Sequence, residues 1–322
     1  MKAAVVTQNG VEVRDVPAPV AERNQVLVRV RACALNRADL GVAAGHKHGA
    51  IGGPGTIVGM EFAGEVVEVG AEASGLKPGE RVMCSGAAGF AEYAVADWGR
   101  ALPIPANMSF EQAATLPVAL MTMHNALVSA GRLAAGESVL VQGASSGVGL
   151  MALQIAKHMG AGLVIGTSTN ALRRAKLAQF GADLALDTAD PAWPDAVLAA
   201  TEGKGVHLII DQVSASVANA NMRAARVLGR IVNVGRLGGA KGEFDYDLHA
   251  LKRIAYIGVT FRTRSIEEVR EINRRMRADL WGAIEAGKLR LPLDRSFPLA
   301  EAPAALAYMR ANAHFGKIVL SA

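Results

Sequence analysis

The stretch Val139-Leu140-Val141-Gln142-Gly143-Ala144-Ser145-Ser146-Gly147-Val148-Gly149 decides the fold of this 322-residue chain. Val139 to Val141 read as a buried strand, the small residues after Gln142 as a tight turn, and Val148 onward as a helix. Val148, Met151, Ala152, Ile155 and Met159 recur at helical spacing, Lys157 and His158 suit the last turn, and Gly160 can end it. Small residues in such a turn let backbone N–H groups approach phosphate oxygens, and the helix N-terminus adds partial positive charge. The turn is therefore expected to hold the pyrophosphate of a dinucleotide, with Ser146, Gly147 and Val148 at the anion. A strand–turn–helix with no ligand has the same local pattern, so its surroundings must decide.

Those surroundings are a series of strand–helix units. Apolar runs recur at residues 139–142, 163–167, 184–186, 206–211, 230–234 and 254–259, and most of the intervals read as helix. One such helix is predicted from Asn170, as N-cap, to Phe180, with Gly181 as its stop. About six parallel strands separated by helices make a doubly wound α/β domain of the Rossmann type, with its ligand at the carboxyl ends of the strands.

The choice of dinucleotide is made where the second strand ends. A domain that binds NAD usually places an acid there, to accept hydrogen bonds from the ribose 2′-OH. Here the chain reads Gly166-Thr167-Ser168-Thr169-Asn170, without an acid, followed by Arg173 and Arg174. Hydroxyls and a guanidinium suit a 2′-phosphate, which a carboxylate would repel. The reading favours NADPH, held at this end by Thr167, Ser168 and Arg173; a solvated basic helix face is the alternative.

Composition bounds the rest. Hydrophobic residues make up 51% of the chain, enough for well-buried cores, and no unbroken apolar run approaches the roughly 20 residues of a membrane helix. The start, Met1-Lys2-Ala3-Ala4-Val5-Val6-Thr7, reads as a first strand and not as a signal peptide. Two cysteines, Cys33 and Cys84, allow neither a disulfide framework nor a multi-cysteine metal site. A cytoplasmic protein with no membrane partner is expected. The net charge of +5 is spread out, apart from Arg262-Thr263-Arg264 and Arg274-Arg275-Met276-Arg277, so nucleic acid is not an expected partner.

The first third is patterned differently. Strand-like runs at residues 11–16, 25–32, 64–69, 80–84 and 91–95 are broken by Gly, Pro and Asn, which predicts a compact β domain. An amphipathic helix is predicted from about Ile266 to Gly287, and a last strand from Gly316 to Leu320. The expected division is residues 1–112, 113–260 and 261–322.

At this point the chain resembles the medium-chain dehydrogenase/reductase superfamily, and within it the zinc-free NADPH:quinone oxidoreductase branch that includes the zeta-crystallin-like proteins. The resemblance rests on Leu35-Asn36-Arg37-Ala38-Asp39-Leu40, Gly59-Met60-Glu61-Phe62-Ala63-Gly64, Gly79-Glu80-Arg81-Val82, Gly89-Phe90-Ala91-Glu92-Tyr93, the Gly143 turn, Gly258-Val259-Thr260-Phe261-Arg262 and His314-Phe315-Gly316-Lys317-Ile318-Val319-Leu320. It implies a GroES-like β domain beside the Rossmann domain, a C-terminal segment returning to the first domain, an interdomain cleft and a homodimer or tetramer. It also implies Asn36 near the nicotinamide ribose or the substrate oxygen, Thr122 at the nicotinamide half, Val234, Gly235, Val259 and Phe261 along the cofactor trough, and Gly316 with Lys317 closing it.

Two departures carry chemistry. Zinc-dependent relatives have a Cys where this chain has Asn36 and a His where it has Met60; an amide and a thioether are poor zinc ligands, so a metal-free site is expected. Without a Lewis acid, the expected reaction is hydride transfer from NADPH to an acceptor that is already electrophilic, a quinone or an activated alkene. The second departure is Gly45-His46-Lys47-His48-Gly49, where the family has a pocket Tyr; Lys47 is either a group that polarises the acceptor or part of a solvated loop. Quinone reduction is the leading expectation. Reduction of an enone or enoyl thioester is the alternative within the same chemistry, and an NADPH- or RNA-binding crystallin-like protein the alternative outside it.

Overall fold

Residues 1–49 and 51–322 are described by a computed structural model, in which the chain sorts into two units. One unit comprises Ala119–Thr260 and Ala286–Leu289. Its sheet has six parallel strands: β1 (Ser138–Val141), β2 (Leu163–Thr167), β3 (Leu184–Leu186), β4 (Val206–Asp211), β5 (Ala225–Asn233) and β6 (Ala255–Gly258). The spatial order is β3-β2-β1-β4-β5-β6. The chain runs outward from β1 to β3, then returns to lay β4 on the other side of β1. The crevice at that reversal, outside the carboxyl ends of the strands, is where such sheets bind ligands. Leu140, Ile165, Ile209 and Ile231, on four neighbouring strands, are fully buried. Central strands covered on both faces are apolar throughout, which is why they stood out as runs and not as alternations.

The helix after β1 spans Gly147–His158, and Met151, Ala152 and Ile155 are fully buried on it. The helix expected from Asn170 to Phe180 is broken. Asn170 does cap a helix, Ala171–Arg174, but a separate 3-10 turn, Leu177–Phe180, follows and ends at Gly181 with φ of 98°. Leu177 is the one fully buried side chain in that stretch, and Leu172 is 81% exposed. A single anchor gives too little packing to hold three continuous turns.

β5 begins at Ala225, five residues before the run that marked it, because its pairing with β4 shifts register between Val206↔Ala225 and Leu208↔Arg230. The residues between Ala225 and Arg230 bulge outward, leaving Leu228 62% exposed.

The other unit comprises Met1–Val118, Phe261–Glu285 and Arg290–Ala322. A hairpin of Lys2–Thr7 and Gly10–Asp15 stands beside a seven-stranded sheet centred on the ten-residue strand Gln25–Ala34. That strand pairs antiparallel with Glu61–Val69, Tyr93–Asp97 and Lys317–Ser321, so a strand from the end of the chain lies against one from its beginning. Phe62, Phe90, Val28, Leu35 and Ile318 meet in its core. By length and composition alone the helical stretch Phe110–Ala130 could cross a membrane, although polar residues break its apolar runs. However, 72% of its apolar window is buried inside the protein, the setting of a core helix.

Two polar fastenings hold helices to this unit. Helix Ile266–Glu285 is tied by Arg270, whose guanidinium grips both oxygens of Asp97 at 2.9 and 2.6 Å and lies over Trp98. Helix Arg37–Ala43 starts at Asn36, and the Asn36 N–H donates to Asp39 Oδ2 at 2.7 Å. Asp39 is fully buried, and burial pushes its carboxyl up to about 7 against the pull of the Asn36 N–H and the Lys317 charge.

Each fastening makes a prediction. The Asp97 side chain is 7% exposed, so Arg270→Ala leaves a buried carboxylate without its fork. The cost should be about 2 kcal/mol in urea denaturation, and a change below about 0.5 kcal/mol would show that the grip does not hold the helix. For Asp39, the unfolded chain gives up the proton near pH 4 while the folded chain keeps it to about 7. Its contribution to stability is therefore complete below about pH 4 and is lost as the pH rises through about 7. Asp39→Asn keeps an oxygen for the cap and should remove that decline, gaining on the parent chain between about pH 5 and 8 in thermal melts. A difference that stays constant across that window would refute the assignment.

Candidate functional site

The site is built first by the turn after β1. Ser146 caps the following helix: its Oγ accepts from the Gly149 N–H at 3.1 Å, and its hydroxyl proton lies within reach of Gly143 O and Gln212 Oε1, each at 3.0 Å. Gly149 must be glycine, because a Cβ there would stand 2.6 Å from Gly143 O. Gly143 itself has φ of 66°, a conformation that favours glycine. Gly147 and Val148 open the helix half-buried, in the positions whose N–H groups have no intrahelical acceptor. N–H groups so placed are able to receive an anion.

Behind the turn lies a continuous buried hydrogen-bond chain. Asp211, which ends β4, accepts from the Val213 and Ser214 N–H groups with Oδ1 and from Asn221 Nδ2 with Oδ2. Asn221 Oδ1 accepts from Gln142 Nε2 at 2.7 Å, and Gln142 Oε1 accepts from the Thr167 hydroxyl at 2.8 Å. Thr167 Oγ1 in turn accepts from the Gly143 N–H at 3.0 Å. Gln212 Nε2 donates to Gln142 O, and the Val234 and Gly235 N–H groups donate to Asp211 O. The ends of β1, β2, β4 and β5 are thereby fixed to one another. Burial raises the Asp211 carboxyl, opposed by the N–H groups it accepts.

At the end of β2, the residues expected at a 2′-phosphate separate into two roles. Thr167 is buried and committed to the chain just described. Ser168 Oγ lies 2.9 Å from Ser145 Oγ, beside the anion turn. Arg174 donates to Ser168 O and pairs with Asp187 at 2.8 Å, so its charge is balanced within the protein and it braces the loop. Arg173 is half-buried on the helix capped by Asn170. Of the other expected contacts in this unit, Thr122 is half-buried on helix Pro117–His124, Val234 and Gly235 directly follow β5, and Val259 is buried beyond β6 with its N–H on Asn233 O.

The other unit gathers a second polar cluster. Lys317 and Glu61, with side chains 6% and 0% exposed, form an ion pair at 2.6 Å. Lys317 Nζ also donates to Leu35 O at 2.9 Å and Asn36 Oδ1 at 3.0 Å. Asn36 Nδ2 donates to Glu61 Oε1 at 2.8 Å, and the Val118 N–H to Glu61 Oε2 at 2.8 Å. Asn36 and Lys317, far apart in sequence, are therefore brought together. Among the described residues no hydrogen bond joins Lys47 to them: it is exposed, directly before the His48–Ile51 bridge. Phe261 is half-buried, with Arg264 over its ring.

Sequence reasoning gave no role to Gln142, Asp211, Asn221 or Glu61. A signal was present for the first two: each is the polar residue that closes a largely apolar run. Asn221 and Glu61 gave none, because only the fold shows that they are buried.

The family described as "Alcohol dehydrogenase GroES-like domain" matches residues 22–106, and that described as "Zinc-binding dehydrogenase" matches residues 147–277. The polyketide synthase GfsB of Streptomyces halstedii is 32% identical over 93% of this chain, which spans only 5% of that protein. The quinone oxidoreductase of Rattus norvegicus is 29% identical over 95% of this chain and 92% of its own length. A mycobacterial protein solved in complex with NADPH is 25% identical, with a TM-score of 0.88 and full coverage of both chains. The anion turn at the reversal of a six-stranded parallel sheet, the second β unit and these matches agree: the chain belongs to the medium-chain dehydrogenase/reductase superfamily.

Proposed function

We propose that this oxidoreductase transfers a hydride from NADPH to a quinone, without zinc. The observation that carries the cofactor is the loop after β2: Ser168 stands beside the anion turn, Arg173 follows on the next helix, and Asp187, an acid close to the loop, is engaged by Arg174. The rat quinone oxidoreductase, matched over nearly its whole length, supports the acceptor, and the mycobacterial NADPH complex supports the cofactor.

Bound NADPH would supply the hydride. The N–H groups of Gly147 and Val148 would hold its pyrophosphate, and Ser168 with Arg173 its 2′-phosphate. The buried chain from Asp211 to Gly143 keeps these donors in place before the ligand arrives, so little ordering remains for binding.

Zinc does not fit the residues present. Asn36 has its carboxamide between Lys317 and Glu61, and Met60 packs against the apolar core. The carboxylate beside Asn36 is already paired with an ammonium, which would repel a metal cation. Among the described residues no group of three or more His, Cys, Asp and Glu side chains is gathered to bind a metal. On this reading the acceptor is electrophilic without metal activation. A second reading, reduction of an activated alkene such as an enoyl thioester, is favoured by the similarity to segments of polyketide synthases.

Oxidation of NADPH should be followed with a panel of quinones, enones and enoyl thioesters, before and after chelation. Turnover of quinones unaffected by chelator is expected. Turnover of enoyl thioesters alone would establish the second reading, and activity lost to chelator and restored by zinc would overturn the metal-free one. Arg173→Ala should raise the KM for NADPH far more than that for NADH, by on the order of 1.5 kcal/mol for a charged hydrogen bond at a half-exposed site. Equal losses with both cofactors would sink the 2′-phosphate assignment.

A further inference from the structure

We propose that Ser214 is a positioning residue for the nicotinamide half of NADPH. Its hydroxyl, carried on a backbone shape that suits glycine, fixes the Gly235 carbonyl and with it the loop after β5. The proposal rests on the reading of the chain as an NADPH enzyme that holds the cofactor at the strand ends of this unit, with Val234 and Gly235 as contacts.

The order of the strands says which half of the cofactor that loop would meet. On this reading the pyrophosphate belongs at the turn after β1 and the 2′-phosphate at the end of β2, on one side of β1. A dinucleotide laid from β2 across the β1 turn continues over β4 and β5, on the other side. The loops that follow β4 and β5 are then the ones beside the nicotinamide half.

Those two loops are laced together. The Val234 and Gly235 N–H groups donate to Asp211 O, the Leu237 N–H to Gln212 O at 3.2 Å and the Gly238 N–H to Val213 O at 2.7 Å. Gly235 lies so close to the first loop that a Cβ there would stand 2.5 Å from Gln212 O. Each of these bonds fixes an N–H of the second loop. The Gly235 carbonyl is fixed by Ser214, whose hydroxyl donates to it. Ser214 Oγ also accepts from Nδ2 of Asn233, the last residue of β5, and the Ser214 N–H donates to Asp211 Oδ1 at 2.9 Å.

The backbone says what the side chain is for. Ser214 has φ of 69° and ψ of −121°, angles that glycine takes freely and that strain a residue with a Cβ. A serine before a helical turn ordinarily caps it, yet the 3-10 turn Ala215–Val217 that starts directly after Ser214 receives no bond from this side chain. Neither local geometry nor capping favours serine over glycine here. What serine adds is the hydroxyl that joins Gly235 O to Asn233. Gly235 has no Cβ to resist rotation of its own peptide, so without that hydroxyl its carbonyl is free to turn.

The test uses two variants of the full chain that lose the same hydroxyl. Ser214→Ala keeps the strain and Ser214→Gly removes it, so Ser214→Gly should melt a few degrees above Ser214→Ala. Binding of NADPH is read by fluorescence titration. Binding of adenosine 2′,5′-bisphosphate, which lacks the nicotinamide half, is read by calorimetric titration. Both variants should bind NADPH roughly three- to tenfold more weakly, to the same extent, as expected for one lost neutral hydrogen bond, and should bind the bisphosphate like the parent. NADPH affinity unchanged in either variant overturns the proposal. So do equal losses for both ligands, or NADPH losses that follow the melting temperatures, since those mark a merely structural role. A parent chain that binds neither ligand shows that the cofactor reading fails first and takes the proposal with it. Should Ser214→Ala not fold, the contrast between the two ligands in Ser214→Gly decides the matter alone.

Discussion

Parallel strands that are buried on both faces must still end somewhere, and the end is where water would otherwise be needed. In this sheet β2, β4 and β5 close on Thr167, Asp211 and Asn233, and Gln142 directly follows β1. Polar groups in such a place are costly unless paired, because the low-dielectric interior offers no substitute partner. The chain answers by pairing them with one another. Asp211, Asn221, Gln142 and Thr167 each satisfy the next, and the last link is the N–H of Gly143 in the anion turn. The turn that would receive phosphate is therefore held from behind by side chains committed to one another. Truncating any one of them would leave its neighbour unpaired, so the links act as a unit and their effects should not be additive.

The β unit solves the same problem with full charges. A buried ammonium and a buried carboxylate are each too costly alone, and their contact is favourable only because every remaining hydrogen bond is also made. Lys317 and Glu61 meet that condition with Leu35 O, Asn36 and the Val118 N–H. The position that in zinc-dependent relatives carries a thiolate facing a metal here carries a neutral amide facing an ammonium. A cation is kept, but one that cannot accept a lone pair from substrate oxygen. On the metal-free reading proposed above, that difference would limit the chemistry to acceptors that need no Lewis acid.

Much of the sheet was legible because its signal is local. Five of the six parallel strands began within one residue of their apolar runs, and Ser146, Asn170 and Gly181 took the capping and stopping places that their side chains favour. Failures came where tertiary packing overrules a local pattern. The Asn170 helix broke for want of buried anchors, and β5 started early because a bulge set its register. For the site, the anion turn could be read from its small residues, but the buried chain behind it could not. Asn221 sits on a helix and looks like any polar helical residue until the fold places it between Asp211 and Gln142. Likewise, nothing in the spelling of Glu61 or Lys317 announces a partner 256 positions away.

That separation has a consequence for the order in which the molecule can be completed. Ala119–Thr260 is one unbroken segment, so nearly all of its unit has left the ribosome before any of the later strands exist. The β unit cannot finish then. Its central strand lacks the neighbour Lys317–Ser321, and Glu61 has no cation to accompany it into the core. Until residue 317 is made, closing that core would bury the Glu61 carboxylate without its ammonium, which is costly. The same ion pair that orients Asn36 can thus be completed only after the intervening unit has been made.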